Sequence, residues 1–164
     1  MGEDFLNQPK PFEIRPSGEI GRGLFATKRI PKGSPILEFK GTPMSLQEVL
    51  EKDMGGYPLQ IGPTEYLEVE EPGVLANHSC SPNAGVKNDQ SLVAITDILQ
   101  DQEICFDYST TMDDGWTMEC KCQNPNCRHT IKDFKELPPE IQASYLELNI
   151  VQSFIKKQLL AKIA

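Results

Sequence analysis

What this chain lacks narrows its possibilities before any motif is read. No apolar run approaches the eighteen or so residues needed to cross a bilayer, and the opening MGEDFLNQPKPF carries acids where a signal peptide has its basic region. Leu6 also stands where a myristoylation signal requires Ser or Thr. The expectation is a soluble intracellular protein with no membrane partner. Positive charge is scarce as well: 16 Lys and Arg against 24 Asp and Glu leave a net charge of −8. Phosphate backbones are bound by clustered cations, so direct nucleic-acid binding is excluded as the main role and a basic partner suits the chain. Residues 48–71 hold seven acids against Lys52, a run that serves as a solvated surface or as a patch that steers a basic substrate. Internal repeats and low-complexity linkers are absent, and 164 residues suit one compact domain.

An even set of cysteines is missing too. Five thiols with C-x-C clustering fit a metal site better than a secreted disulfide framework. The stretch that stands out is Asn77-His78-Ser79-Cys80-Ser81-Pro82-Asn83, which gathers two amides, an imidazole, a thiol and a stiffening proline without one large apolar side chain. Downstream, Cys120, Cys122 and Cys127 form C-x-C-x4-C. Structural Zn2+ takes four ligands in a tetrahedron, and three thiols in a hairpin cannot close that shell, so Cys80 is the natural fourth. His129 lies near the cysteines as an alternative donor. Cys105, inside Ile104-Cys105-Phe106, is left over as a buried, inert thiol with no cationic neighbour in sequence to lower its pKa.

Short strands are expected at Phe12 to Arg15, Gly23 to Ala26, Pro35 to Phe39, Tyr57 to Ile61, Tyr66 to Val69, Ser91 to Thr96 and Ile104 to Tyr108. Ser45 should cap a short helix that stops by Gly55-Gly56, and Asn83 to Gln90 should form a turn. Met112 to Trp116 is rich in turn formers, with Trp116 expected to cover the zinc loop. The tail begins a helix at Leu137-Pro-Pro-Glu140. Apolar residues from Ile150 to Ile163 then recur at helical spacing, a stripe that docks on the domain or recruits a partner.

NHSCSPN, then Glu103-Ile104-Cys105-Phe106-Asp107-Tyr108 and C-x-C-x4-C, with Gly21-Arg22-Gly23-Leu24-Phe25-Ala26 upstream, together resemble a SET-domain protein-lysine N-methyltransferase with a post-SET zinc segment, over roughly residues 12–131. The resemblance implies a mostly β fold, with minor α+β character: a β-clip of several short sheets, a pseudoknot near the active site and C-terminal helices. It divides the chain into an arm (1–11), the SET domain (12–111, with an insert at about 42–73), the post-SET zinc segment (112–131) and a helical tail (132–164). It implies S-adenosylmethionine as cofactor, held by Arg22, Gly23, Tyr57, Asn77 and His78, and one structural zinc on Cys80, Cys120, Cys122 and Cys127. Tyr108 would be catalytic, Phe39 and Phe106 would line the lysine channel, and the partner would be a lysine-bearing protein or peptide. Two departures stand out. Phe39-Lys40-Gly41-Thr42 replaces the family's Tyr-x-Gly-Glu, and residues 73–76 are shorter than usual and lack an arginine. These motivate the alternative of a zinc-stabilised peptide-binding module with impaired catalysis.

Overall fold

Prolines and glycines cut the first two thirds of the chain into strands of two to six residues, which pair into small sheets instead of one large one. The computed structural model describes residues 9–52 and 58–163. The first strand, β1 (Phe12–Ser17), turns back onto β2 (Gly21–Ala26) through Gly18 and Gly21, whose φ of 50° and 108° favour glycine. Next come β3 (Pro35–Glu38), β4 (Gly41–Ser45) and α1 (Leu46–Glu51). A capping box starts α1: the Glu48 amide donates to Ser45 Oγ at 3.2 Å, and the Ser45 amide donates to Glu48 Oε2 at 2.7 Å. With β5 (Leu59–Gln60) and β6 (Glu65–Val69), β4 makes an antiparallel sheet in the order β4-β6-β5. Then follow β7 (Asn77–His78), β8 (Ala84–Lys87) and β9 (Ser91–Ala94), which is the centre of the sheet β3-β9-β8. β10 (Cys105–Phe106) runs parallel to β7, placing NHSC beside Phe-Asp-Tyr as the expected pseudoknot requires. β11 (Met118–Glu119) pairs with β12 (Thr130–Ile131), and α2 (Pro139–Glu147) and α3 (Ser153–Ile163) follow. The architecture is mostly β with several short sheets, as expected.

Some details differ from the sequence expectations. Asn83 to Gln90 is not all turn: Ala84 to Lys87 are a strand, because Asn88 and Asp89, at φ of 52° and 67°, supply the whole reversal. Ile104 to Tyr108 narrows to two strand residues, since the Asp107 side chain accepts the Ser109 amide at 3.0 Å and starts a 3-10 turn at Tyr108. Trp116 is 52% exposed, and Met112, Met118 and Ile131 supply the buried apolar layer around the cysteine sulfurs. The expected helix stop at Gly55-Gly56 lies outside the described residues; α1 itself ends at Glu51.

Leu24, Leu92, Ile98, Ile104 and Phe106 centre the main core, and the tail builds a second one from Phe134, Tyr145, Ile150, Val151, Phe154 and Ile155. The tail docks as expected through buried Gln152, whose Nε2 donates to the Gln60 carbonyl at 2.8 Å, and Asp89 accepts the Ser153 amide at 2.7 Å. The end of the apolar stripe departs from that docking, with Leu160 67% and Ile163 82% exposed. A Cβ added at Gly85 would lie 2.5 Å from Ile150 Cγ2. Gly85→Ala should therefore cost about 1–3 kcal/mol by overpacking; an unchanged denaturant midpoint would contradict this docking. Among the described residues no helix is long and apolar enough to cross a membrane.

Candidate active site

Pairing of β7 with β10 lets both asparagines of NHSCSPN hold the 103–105 segment. Asn83 Nδ2 donates to the Glu103 carbonyl at 2.8 Å, and the Cys105 amide donates to Asn83 Oδ1 at 3.0 Å. Asn77 Nδ2 donates to the Arg22 carbonyl at 2.9 Å and to Glu103 Oε1 at 2.8 Å, and Ser17 Oγ donates to the same carboxylate. A Cβ at residue 23 would meet Glu103 Oε1 at 2.2 Å, so the second glycine of Gly21-Arg22-Gly23 is required by close approach. The sequence motif includes Glu103 but not its role: an acid at the edge of an apolar strand carries no local sign that it anchors an amide far upstream.

From β10 the aromatic side chains run in a row. The rings of Phe39 and Phe106 are 5.7 Å apart, and those of Phe106 and Tyr108 4.9 Å. Tyr108 borders two cavities. One of about 400 Å³ is lined by Phe39, Val69, Val74, Leu75, Phe106 and Tyr108 among others. The other, of about 280 Å³, has Asn77, His78, Tyr108, Lys121, Cys122, Glu19 and Glu119 in its wall. Ile20, Asn77, Tyr108 and Met118 belong to both walls. The Tyr108 hydroxyl donates to the Ala76 carbonyl at 2.8 Å, so its proton is committed and its oxygen is left as an acceptor. Burial, with Cys105 and Glu103 adding to it, pushes the phenol well above its ordinary pKa and keeps it neutral.

His78 is held from both sides. The Tyr108 amide donates to Nδ1 at 3.1 Å, which puts the proton of the neutral ring on Nε2, 3.4 Å from Cys80 Sγ. Burial lowers its pKa to about 4, opposed by Asp107 and assisted by Arg128. A neutral positioned ring, not an acid or base, follows from that environment. The sulfurs of Cys80, Cys120, Cys122 and Cys127 all lie within 4.8 Å of one another, and Cys80 and Cys120 are 3.7 Å apart. A tetrahedron of Zn–S bonds has sulfurs roughly 3.8 Å apart, so the donor set fits Zn2+. Backbone amides of Arg128 and His129 donate to Cys80 and Cys127 sulfurs at 3.4 and 3.3 Å. The group the four thiols form contains neither His129 nor Cys105. Cys105 is partly buried, and desolvation, with Glu103 and Cys122 adding to it, pushes its thiol to about 12, which keeps it unreactive.

Of the residues anticipated from sequence, Arg22, Gly23, Asn77, His78, Phe39, Phe106 and Tyr108 come together around these cavities, and the four cysteines converge beside them. The Arg22 side chain turns outward to pair with Glu71. Tyr57 lies outside the described residues. The acidic run at 48–71 is partly consumed locally: Glu48 caps α1, Glu68 pairs with Lys52 at 2.8 Å and Glu71 with Arg22.

The family described as the SET domain matches residues 21–109. The chain belongs to the SET-domain family. Relatives include the "Histone-lysine N-methyltransferase, H3 lysine-36 specific" of Eremothecium gossypii, 32% identical over 65% of this chain and 18% of its own length. The protein of the same description from Saccharomyces cerevisiae is 30% identical over 73% of this chain and 19% of its length. This chain thus spans less than a fifth of these relatives. Among solved structures, the methyltransferase domain of human histone-lysine N-methyltransferase SETMAR superposes with a TM-score of 0.59 at 23% identity, covering 74% of this chain and 58% of that one. KRYPTONITE, in a complex with mCHG DNA and SAH, also has a TM-score of 0.59, at 24% identity over 73% of this chain and 28% of its own. These two likenesses establish the fold.

Proposed function

We propose that this SET domain transfers a methyl group from S-adenosylmethionine to the side-chain amine of lysine in a basic protein or peptide. The observation that carries this reading is Tyr108, a neutral phenol with a free acceptor oxygen at the meeting of an apolar cavity and a polar one. The functional division is 12–111 for catalysis, 112–131 as a zinc segment and 132–164 as a docked tail, with 1–11 as an arm; location in the soluble interior of the cell and no direct contact with nucleic acid or membrane complete the proposal.

S-adenosylmethionine, when bound, supplies an electrophilic methyl on a sulfonium. The SAH in the KRYPTONITE complex supports the choice of cofactor, and the polar donor set here supports its placement in the smaller cavity. Lys121 would face its carboxylate, Glu19 and Glu119 its cationic and hydroxyl groups, and Asn77 and His78 would hold it largely through their backbone, with Arg22 and Gly23 alongside. The four cysteines would hold one structural zinc.

The lysine chain would lie in the larger cavity. Free lysine has a pKa near 10.4, and a channel walled by Phe39, Val69, Leu75 and Phe106 disfavours its ammonium form. No strong general base is then required. Tyr108, its own proton given to Ala76, accepts an N–H of the amine and aims the lone pair along the channel. Alignment of two reactants in this way is worth on the order of 7–11 kcal/mol in favourable cases.

A proteome extract incubated with the protein and labelled S-adenosylmethionine tests the function, with mass spectrometry placing the mark. Label should appear on lysine nitrogen; label confined to other residues, or none, would sink the proposal. The same readout reports product number. Phe106 presents no hydroxyl beside Tyr108, so no polar group there retains a water that crowds a methylated amine. Wild type should reach di- or trimethyl-lysine, and Phe106→Tyr should stop mainly at monomethyl-lysine. A wild type that halts at one methyl with cofactor in excess would overturn this assignment.

A further inference from the structure

We infer that Tyr145, on the C-terminal helix α2, is a positioning residue for methyl transfer, because its hydroxyl completes the buried partner set of Asp107 and so fixes the turn carrying Tyr108. The inference rests on the role given to Tyr108 above.

Asp107 is only 1% exposed, and a buried carboxylate persists where its oxygens are paired. Its partners come from three separate parts of the chain. Arg128 Nη2, next to the last cysteine, lies 2.8 Å from both oxygens. The Ser109 amide, within the turn itself, donates to Oδ1 at 3.0 Å. The Tyr145 hydroxyl donates to Oδ2 at 2.9 Å. His78 Nδ1 is 3.6 Å from Oδ1 but accepts from Tyr108, so it gives the carboxylate no proton. Burial and the Asp107 charge push the Tyr145 pKa upward, so the hydroxyl remains a donor.

Asp107 starts the 3-10 turn Tyr108–Thr111, and its carbonyl also accepts Thr110 Oγ1 at 2.8 Å. A carboxylate that swings therefore moves the turn, and with it the Tyr108 amide on His78 and the hydroxyl on Ala76. Without the tyrosine hydroxyl, Oδ2 keeps only Arg128, and the carboxylate gains freedom to rotate about Cβ–Cγ. The tail reaches the same turn again where the Gln152 amide donates to the Thr110 carbonyl at 3.1 Å. The Tyr145 ring packs with Phe134, Ile150 and Phe154, contacts that phenylalanine preserves.

The test is Tyr145→Phe, assayed with the extract and labelled S-adenosylmethionine below the melting temperature of every variant. The rate at saturating cofactor should fall about tenfold, less than the roughly hundredfold that a 1 Å misplacement can cost, while cofactor affinity by calorimetry and zinc content stay within about twofold. In a Tyr108→Phe background the same change should cause no further fall, the non-additivity expected of a residue that acts through another. A Tyr145→Phe rate within twofold of wild type overturns the inference. So does a tenfold fall repeated in full in the Tyr108→Phe background. Absence of label with wild type would instead overturn the methyltransferase reading, and this inference with it.

Discussion

Tyr108→Phe should lose ~100-fold or more of methyl transfer while binding S-adenosylmethionine within a few fold of wild type, the scale seen when one oriented polar group is removed from a reacting centre. The variant keeps the ring, hence the 4.9 Å contact with Phe106 and the 5.3 Å contact with His78. What it loses is an oxygen that donates its hydrogen bond to the Ala76 carbonyl and, in the proposed mechanism, accepts one from the amine. An interaction made mainly in the transition state lowers the rate and leaves ground-state affinity nearly intact. The stability cost should be near 1 kcal/mol, the size of one hydrogen bond given up to the Ala76 carbonyl. Calorimetry gives the affinity and single-turnover rates give the chemistry. A variant with full rate would remove Tyr108 from catalysis, and one with proportionate loss of cofactor binding would make it a ground-state contact.

The departures from the family's pattern do not empty this site. Phe39 is buried against Phe106 and its ring is fixed further by Gly73, where a Cβ would meet Phe39 Cδ1 at 2.9 Å. The shortened 73–76 segment ends on Ala76, whose carbonyl accepts the hydrogen bond of the Tyr108 hydroxyl. Phe39 keeps the larger cavity apolar and the Ala76 carbonyl orients Tyr108, which supports the proposed catalysis over mere peptide binding.

Residues that announce themselves by local chemistry were legible in sequence. Three cysteines within eight positions and a fourth in a segment without core side chains can be read as ligands, because metal coordination demands their type and spacing. Ser45 and Glu48 were legible as a helix start for the same reason of local spacing. Asp107, Arg128 and Tyr145 were not, since a buried ion cluster drawn from three segments has no period and no motif. Glu103 is similar, its meaning visible only when Gly23 and Asn77 stand against it. Ala84 to Lys87 was hidden by its asparagine and glycine neighbours, yet Gly85 is there because Ile150 of the distant tail leaves no room for a side chain.

Chelation of zinc, or Cys80→Ser, should take methyl transfer to background and lower stability by several kcal/mol. Structural zinc in small sites is worth about 10–16 kcal/mol of apparent binding free energy, as large as the whole stability of an ordinary domain. Here the ligands link segments 40 residues apart, Cys80 and Cys120, so no local structure substitutes for the metal once it leaves. Loss should spread along two routes. Cys80 follows His78 and Ser79, and the Ser79 amide pairs with the Phe106 carbonyl at 3.1 Å, so release should disturb the side of the site proposed for the cofactor. Cys127 precedes Arg128, whose guanidinium holds Asp107 at 2.8 Å, so release also frees the turn that carries Tyr108. Elemental analysis of the purified protein should give one zinc per chain, Cys105→Ser should keep it, and Cys80→Ser should hold it substoichiometrically. On chelation, hydrogen exchange should rise across 112–131 before it rises in the sheet β3-β9-β8, whose core residues Leu92 and Val86 belong to a separate apolar cluster. Full zinc in Cys80→Ser would displace Cys80 from the ligand set; a zinc-free protein with full rate would show that Arg128 and the NHSC segment are held without the metal.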